Sequence, residues 1–287
     1  MHSVGLVLHP ERDSAEAVNA VLDWAERRSI TVLGIVSEIS RLRCAAVGVT
    51  AEELGRRSDL IVSLGGDGTM LRAMRLADQQ RAPVLGVNLG KLGFLAEIDV
   101  PELPVALSAV DSKDFTIEPR LAVDTDLGDK TVTAFNDIVA VRVPGNGSAI
   151  VAVRVDGRPF VSYAADAVVV STPTGSTAYS FSAGGPIMNP QIEALLVTPV
   201  APHSAYNRGL VLSVDDSLAL DILPDSGDLA VEVDGQVAGR LVGGDSISLR
   251  PRPAAARVIR LGRMTFYERA RRKLRVTDSA EIPATYG

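Results

Sequence analysis

The chain has 287 residues, 46% hydrophobic and 22% charged, with a formal net charge of −6. That length accommodates one large domain or two of ordinary size around a substantial core, and the composition argues against disorder. The acidic balance argues against a non-specific nucleic-acid binder, which needs a basic face to displace counterions, but leaves backbone N–H groups free to bind an anionic ligand.

The first hundred residues alternate between two periodicities. Val4–Leu8 is a short apolar run, Ala15–Arg27 repeats its apolar residues at helical spacing, and Thr31–Val36 is β-branched and apolar. Thr50 is placed to cap a short helix beginning Ala51–Leu54. Leu60–Leu64 predicts a strand, Thr69–Asp78 a helix, and Val84–Val87 a further strand. Strands apolar on both faces that alternate with helices predict a parallel sheet covered by helices. After Pro101 the pattern changes to short runs separated by Gly, Pro, Asp and Asn. They are Leu121–Thr125, Phe135–Val141, Ile150–Val155, Ala167–Val170, Leu218–Leu223, Leu229–Val233 and Ser246–Leu249. Such a series predicts an all-β, sandwich-like domain, and the Asp-Gly pairs of "VDGRPF" and "VDGQVAG" predict hairpin turns. Helical character returns in "FYERARRKL", Phe266–Leu274. The expected division is an α/β domain over residues 1–100, with 262–287 packing back on it, and a β domain over 101–261.

The N-terminus "MHSVGLVLHPERDS" is charged too early for a signal peptide, and no apolar run approaches the ~18 residues of a membrane span. Cys44 is the sole cysteine, which excludes an internal disulfide framework or a thiolate metal cluster. A cytoplasmic protein is the expectation, with neither membrane nor nucleic acid as partner.

Two stretches carry chemistry. In "LIVSLGGDGTMLRAM", Gly65-Gly66-Asp67-Gly68-Thr69 follows a strand and opens a helix, where open α/β sheets bind ligands. No Gly-Lys-Ser/Thr follows, which rules out a Walker loop. A Gly-x-Gly-x-x-Gly count from Gly66 lands on Leu71, which rules out the dinucleotide fingerprint. The glycines allow close approach of backbone to phosphate, whereas Asp67 repels it. The carboxylate makes sense if it meets a hydroxyl whose proton it accepts during phosphoryl transfer. A plain strand-to-helix turn capped by Asp67 explains the same residues equally well. The second stretch, "STPTGSTAYSFSAGGP" (Ser171–Pro186), gathers Ser and Thr hydroxyls, glycines and Tyr179 after an apolar strand. Such a set suits a nucleotide better than a low-complexity loop. No Gly-x-Ser-x-Gly elbow marks a hydrolase serine.

In order, "GGDGTMLRA", "GVNLGKLGFLAEI", "FNDIVAVR", "VVVSTPTGSTAYSFSAGGP", "APHS" and "FYERARRKL" resemble the motifs of the NAD kinase family. Gly-Gly-Asp-Gly is shared with diacylglycerol kinases and phosphofructokinases, whereas the Thr-Pro-Thr-Gly-Ser-Thr-Ala-Tyr run is far more discriminating. The resemblance covers residues 60–275 best. It implies a phosphofructokinase-like N-terminal α/β domain and a C-terminal β-sandwich that binds NAD, with the last segment returning to the first domain. The implied reaction phosphorylates the 2′-hydroxyl of the adenosine ribose of NAD, with ATP or polyphosphate as donor. By that resemblance Asp67 is the proton acceptor, Gly68 lies against the nucleotide, and Arg72 matches a position that contacts the ligand in some relatives, although a solvated helix charge explains it too. Asn136 and Asp137 match a ribose- or nicotinamide-side pair. Thr177, Ala178, Tyr179, Ser180 and Ser182 match the dinucleotide run, with Tyr179 as base contact. Asp166 matches an aspartate that lies between two glycines elsewhere in the family but between Ala165 and Ala167 here, which puts its role in doubt. Asp234 and Gln236 match a ligand-side loop, although a simple hairpin explains them too. Nothing near the motifs supplies a metal cage, so Mg²⁺ is expected to arrive chelated by ATP. A homodimer or homotetramer is also implied. A lipid or sugar kinase sharing the glycine loop, and a non-catalytic NAD sensor, are the competing readings.

Overall fold

The computed structural model describes residues 1–277 apart from 43, 79, 91 and 205. The chain forms two units: Met1–Glu118 together with the chain from Val258 onward, and Pro119–Arg257.

In the first unit the alternation of the sequence becomes β1 (Ser3–Leu8), α1 (Ala15–Glu26), β2 (Thr31–Ile35), α2 (Val36–Ile39), β3 (Val47–Val49), α3 (Ala51–Arg57), β4 (Leu60–Gly65), α4 (Asp67–Ala77), β5 (Pro83–Asn88), β6 (Ile98–Asp99) and α5 (Leu103–Ser112). The strands pair in parallel in the order β3-β2-β1-β4-β5. Because β1 has β2 on one side and β4 on the other, connections leave it in both directions. That is the switch point at which such sheets bind ligands, beyond the carboxyl ends of the strands. Helices cover both faces. Val4, Leu6, Leu8, Leu60, Val62 and Leu64 pack with Val18, Val21 and Trp24 of α1 and Leu103, Ala106 and Leu107 of α5. On the opposite face Leu54 of α3 and Met70 of α4 press against Gly5 and Gly86, where a side chain would clash. Thr50 closes a capping box with Glu53 at the head of α3.

Helix α5 departs from the sequence expectation, since the pattern after Pro101 read as β throughout. Pro101 and Pro104 stand in the first turns of the 3₁₀–α segment, where a missing N–H costs nothing.

The second unit contains β7 (Thr116–Leu127), which begins just before its boundary, then β8 (Lys130–Ala134), β9 (Asp137–Arg142), β10 (Ala149–Val155), β11 (Arg158–Ala165), β12 (Ala167–Ser171), α6 (Tyr179–Ser182), β13 (Ala194–Val200), β14 (Leu210–Ser213), β15 (Leu218–Ile222), β16 (Leu229–Val233), β17 (Gln236–Leu241) and most of β18 (Ser246–Arg260). One antiparallel sheet runs β14-β13-β12-β9-β16-β17. A second joins β11, β10, β15 and the first residues of β18. Ile138, Val168, Val170 and Val231 of the first sheet share a core with Val151, Val153, Leu220 and Ile247 of the second, which makes a sandwich. Two-residue turns at Asp156-Gly157 and Asp234-Gly235 close the β10–β11 and β16–β17 hairpins, with positive φ at all four residues. The far end of β18 returns to the first unit's sheet beside β5, and α7 (Phe266–Leu274) follows with a Thr265–Glu268 capping box. Whatever the expected return includes beyond residue 277 lies outside the described residues.

Candidate active site

The glycine run sits at the carboxyl end of β4, at the switch point, and Asp67 is the first residue of α4. Gly65 is buried under Thr69, whose side chain fills the space a Cβ would take. The Asp67 carboxylate reaches sideways to the segment after β5. Oδ2 accepts from the backbone N–H of Phe94 and Oδ1 from that of Leu95, both at 3.0 Å. Gly93 permits this approach, since a Cβ there would overlap Oδ1. Lys273 of α7 donates to Oδ2 at 2.9 Å. The aspartate therefore does not cap its own helix and is instead held as a side-on carboxylate. Gly68 is exposed next to it with open space over its Cα. Arg72 faces another way: it pairs with Glu38 at 2.8 Å and donates to the Leu8 carbonyl at 2.6 Å, bracing β1 against α2.

The second unit holds another constellation. The Asp234 carboxylate, at the β16–β17 turn, accepts from three successive backbone N–H groups, those of Phe135, Asn136 and Asp137. The Asn136 carbonyl accepts from Thr172 N–H, and the Phe135 carbonyl from the Thr172 hydroxyl. A 3₁₀ turn at Gly175–Thr177 then presses its backbone onto Asn136 so closely that a Cβ on Gly175 would overlap the Asn136 carbonyl. Ala178 links this turn to α6, whose first residue, Tyr179, is 37% exposed. The Asp137 carboxyl accepts from Tyr179 N–H. Burial, then the charges of Asp234 and Glu232, push the Asp137 carboxyl up to about 7 against the opposing pull of that N–H. Asn136, Asp137, Thr177, Ala178, Tyr179 and Asp234 thus meet in one place.

Other expected residues stand apart in their contacts. Ser180 is fully buried and its hydroxyl pairs with Thr198. Ser182 and Gln236 are exposed. Asp166 is exposed and ion-paired with Arg142. Ala165, Asp166 and Ala167 join two strands with no positive φ, so alanine there costs no needed conformation. The sequence reading assigned no role to Gly93, Phe94, Leu95, Gly175 or Lys273. The first three lie in "GVNLGKLGFLAEI" and the last in "FYERARRKL", motifs quoted without a function for each residue.

A backbone-held carboxylate after a glycine run on a doubly wound sheet, and a hydroxyl-rich run on a β-sandwich, have the chemistry of a phosphotransferase. Family models agree with that class: the ATP-NAD kinase N-terminal domain matches residues 4–115 and the ATP-NAD kinase C-terminal domain residues 135–261. NAD kinase 1 of Streptomyces avermitilis is 39% identical over 96% of this chain and 88% of its own length. The NAD kinase of Heliobacterium modesticaldum is 38% identical over 96% and 99%. Among solved structures, yeast NADH kinase complexed with NADH superimposes with a TM-score of 0.83 at 26% identity, over 96% of this chain and 87% of that one. An NAD kinase from Archaeoglobus fulgidus in complex with ATP shares the fold, with a TM-score of 0.76 at 24% identity over 95% and 98%.

The chain belongs to the ATP-NAD kinase family. It is an NAD kinase enzyme, catalysing ATP-dependent phosphorylation of NAD, which displaces the lipid-kinase and sensor alternatives. No helix among the described residues is long and apolar enough to cross a membrane.

Proposed function

We propose that Asp67 orients the 2′-hydroxyl of the adenosine ribose of NAD and accepts its proton, with MgATP as donor. As the ribose oxygen bonds to the γ-phosphorus, the bond from that phosphorus to the ADP oxygen breaks. The electron pair leaves on ADP, and the hydroxyl proton passes to the Asp67 carboxylate. The observation that carries this reading is the side-on grip of Asp67 by Phe94 and Leu95. A carboxylate fixed by two backbone donors cannot rotate away from a hydroxyl presented to it. Gly66 and Gly68 leave open backbone at the head of α4 for the donor phosphates.

NAD recognition is assigned to the second unit. Asn136 and Asp137 address ribose hydroxyls, Tyr179 contacts a base, and Thr177 and Ala178 line the run beside them. Asp234 serves by fixing the 135–137 backbone. Gly68 borders the nucleotide. The exposed Asp166, Ser182 and Gln236 form an outer set, while Ser180 and Arg72 brace the frame through Thr198 and Glu38. Among the described residues no His, Cys, Asp and Glu side chains converge as a metal cage. Mg²⁺ enters with ATP, as part of the substrate. The single cysteine supports a cytoplasmic setting, and an assembly of two or four copies rests on the family resemblance.

The test is Asp67→Asn. NAD affinity by calorimetry is expected to stay within a few-fold, while NADP formation from NAD and MgATP falls by three orders of magnitude or more, roughly the loss expected for a general base with its alignment. A variant that keeps most of its activity removes Asp67 from the role. Running the wild type with polyphosphate in place of MgATP, and with NADH in place of NAD, establishes donor and acceptor preference.

A further inference from the structure

The C-terminal helix α7 contributes a lysine to the carboxylate assigned as proton acceptor, although the two residues are 206 positions apart. An exposed ion pair is ordinarily worth little, but this one is embedded in a larger grip. The Lys273 ammonium also lies over the Phe94 ring, 4.7 Å from its centroid. The Phe94 N–H is one of the donors to Asp67. The Phe94 carbonyl accepts at 2.8 Å from Arg269, one turn earlier on α7 and 3% exposed. Helix α7 therefore holds the ring, the carbonyl and, through the carboxylate, the amide side of one residue.

The lone pairs of Asp67 are used unequally. Among the described residues, Oδ2 accepts from both Phe94 N–H and Lys273, and Oδ1 accepts from Leu95 N–H alone. A carboxylate oxygen has about two acceptor directions, so Oδ2 is filled and Oδ1 keeps one.

We propose that Lys273 is a positioning residue for phosphoryl transfer: by occupying Oδ2 it selects Oδ1 as the oxygen that meets the ribose hydroxyl and takes its proton. The inference rests on the assignment of Asp67 as acceptor. Without the ammonium, Oδ2 has an acceptor direction open and competes with Oδ1 for the hydroxyl, so the hydroxyl loses its single alignment with the γ-phosphorus. Substrate binding does not depend on that alignment, so the loss falls on turnover. Misalignment of this kind costs about ten- to a hundredfold in rate.

The experiment measures steady-state kinetics with NAD and MgATP on the full chain. Lys273→Met is expected to lower kcat by about ten- to a hundredfold with KM for both substrates within about threefold. Lys273→Arg, which keeps a cation within reach, is expected to recover part of that loss. Lys273→Ala is expected to regain turnover with added ethylammonium chloride and not with sodium chloride, because the small cation refills the vacated place. A lysine that only fastened α7 would show no such rescue, and a lower thermal midpoint would account for its effect. Lys273→Gln carries the same comparison if the alanine variant does not fold. A wild-type kcat in Lys273→Met, or a loss that neither arginine nor ethylammonium repairs, overturns the proposal. Asp67→Asn separates this failure from the other: an active Asp67→Asn sinks the acceptor assignment itself, whereas an inactive one beside a fully active Lys273→Met sinks only the lysine. Arg272→Gln, on the same helix, is the control expected to turn over at the wild-type rate.

Discussion

At the scale of single residues, two carboxylates are treated in opposite ways. Asp67 sits among donors, with two backbone N–H groups and an ammonium converging on it. Asp137 is buried beside the charges of Asp234 and Glu232, which together outweigh its one donor, the Tyr179 N–H, and raise it to about 7. The sign of the second effect is fixed by linkage. Its folded-state value lies above the ordinary carboxylate value, so its contribution to stability is fully present below about pH 4 and is lost as pH rises through about 7. Asp137→Asn stays neutral and still offers an oxygen to Tyr179 N–H. Thermal midpoints measured from about pH 5 to about pH 8 should show wild type falling relative to Asp137→Asn as pH rises. Parallel curves would mean that the burial is relieved in solution. Tyr179, half turned to solvent at the end of the hydroxyl run, belongs to the same scale. Tyr179→Ala should raise KM for NAD by about ten- to a hundredfold, as loss of a base-stacking ring does, with kcat at saturation little changed. An unchanged KM would exclude the ring from the base contact.

At the scale of elements, the site is made by close approach of backbone to backbone or to carboxylate. Gly175 lets the 3₁₀ turn lie on Asn136, and Gly93 lets the β5–β6 segment lie on Asp67. Gly175→Ala forces apart two main chains, at a cost of about 1–3 kcal/mol. A thermal midpoint several degrees lower and weaker NAD binding, read by scanning fluorimetry and calorimetry, are the expected outcome. Unchanged values would mean that the turn is free to lift. Gly93→Ala should leave folding nearly intact and lower kcat, because the side chain it displaces is Asp67. An unaltered kcat would show that the grip on the carboxylate is dispensable. Such approaches explain what could and could not be read from the sequence. Strand, glycine run and helix at 60–77 were legible because periodicity and turn chemistry are local. The partners of Asp67 were not: Phe94 and Leu95 act through N–H groups that every non-proline residue carries, and Lys273 looks like any other charge on an amphipathic helix. Asp234 was legible as a hairpin residue and as a candidate ligand-side residue. In the structure it turns the chain and also caps the 135–137 backbone. Helix α5 was hidden by prolines that read as breaks. Edge strand β17 was hidden by Gly239 and by exposure along most of its length.

At the scale of the whole molecule, the chain combines two folding patterns. The parallel sheet supplies strand ends and a helix start, where phosphate chemistry is supported by backbone donors. The antiparallel sandwich supplies the frame for the side chains proposed to read the nucleoside. The last part of β18 and helix α7 bring the end of the chain back to the first unit's sheet and to its carboxylate. Fold class and family were legible at this scale because both depend on the order of motifs along the chain. The most direct test of the account compares wild type with Asp67→Asn in single-turnover phosphorylation of NAD by MgATP, with NAD binding measured on the same preparations. Near-normal binding and a rate at least about a thousandfold lower are expected in the variant. A variant that forms NADP at a rate close to wild type would contradict it.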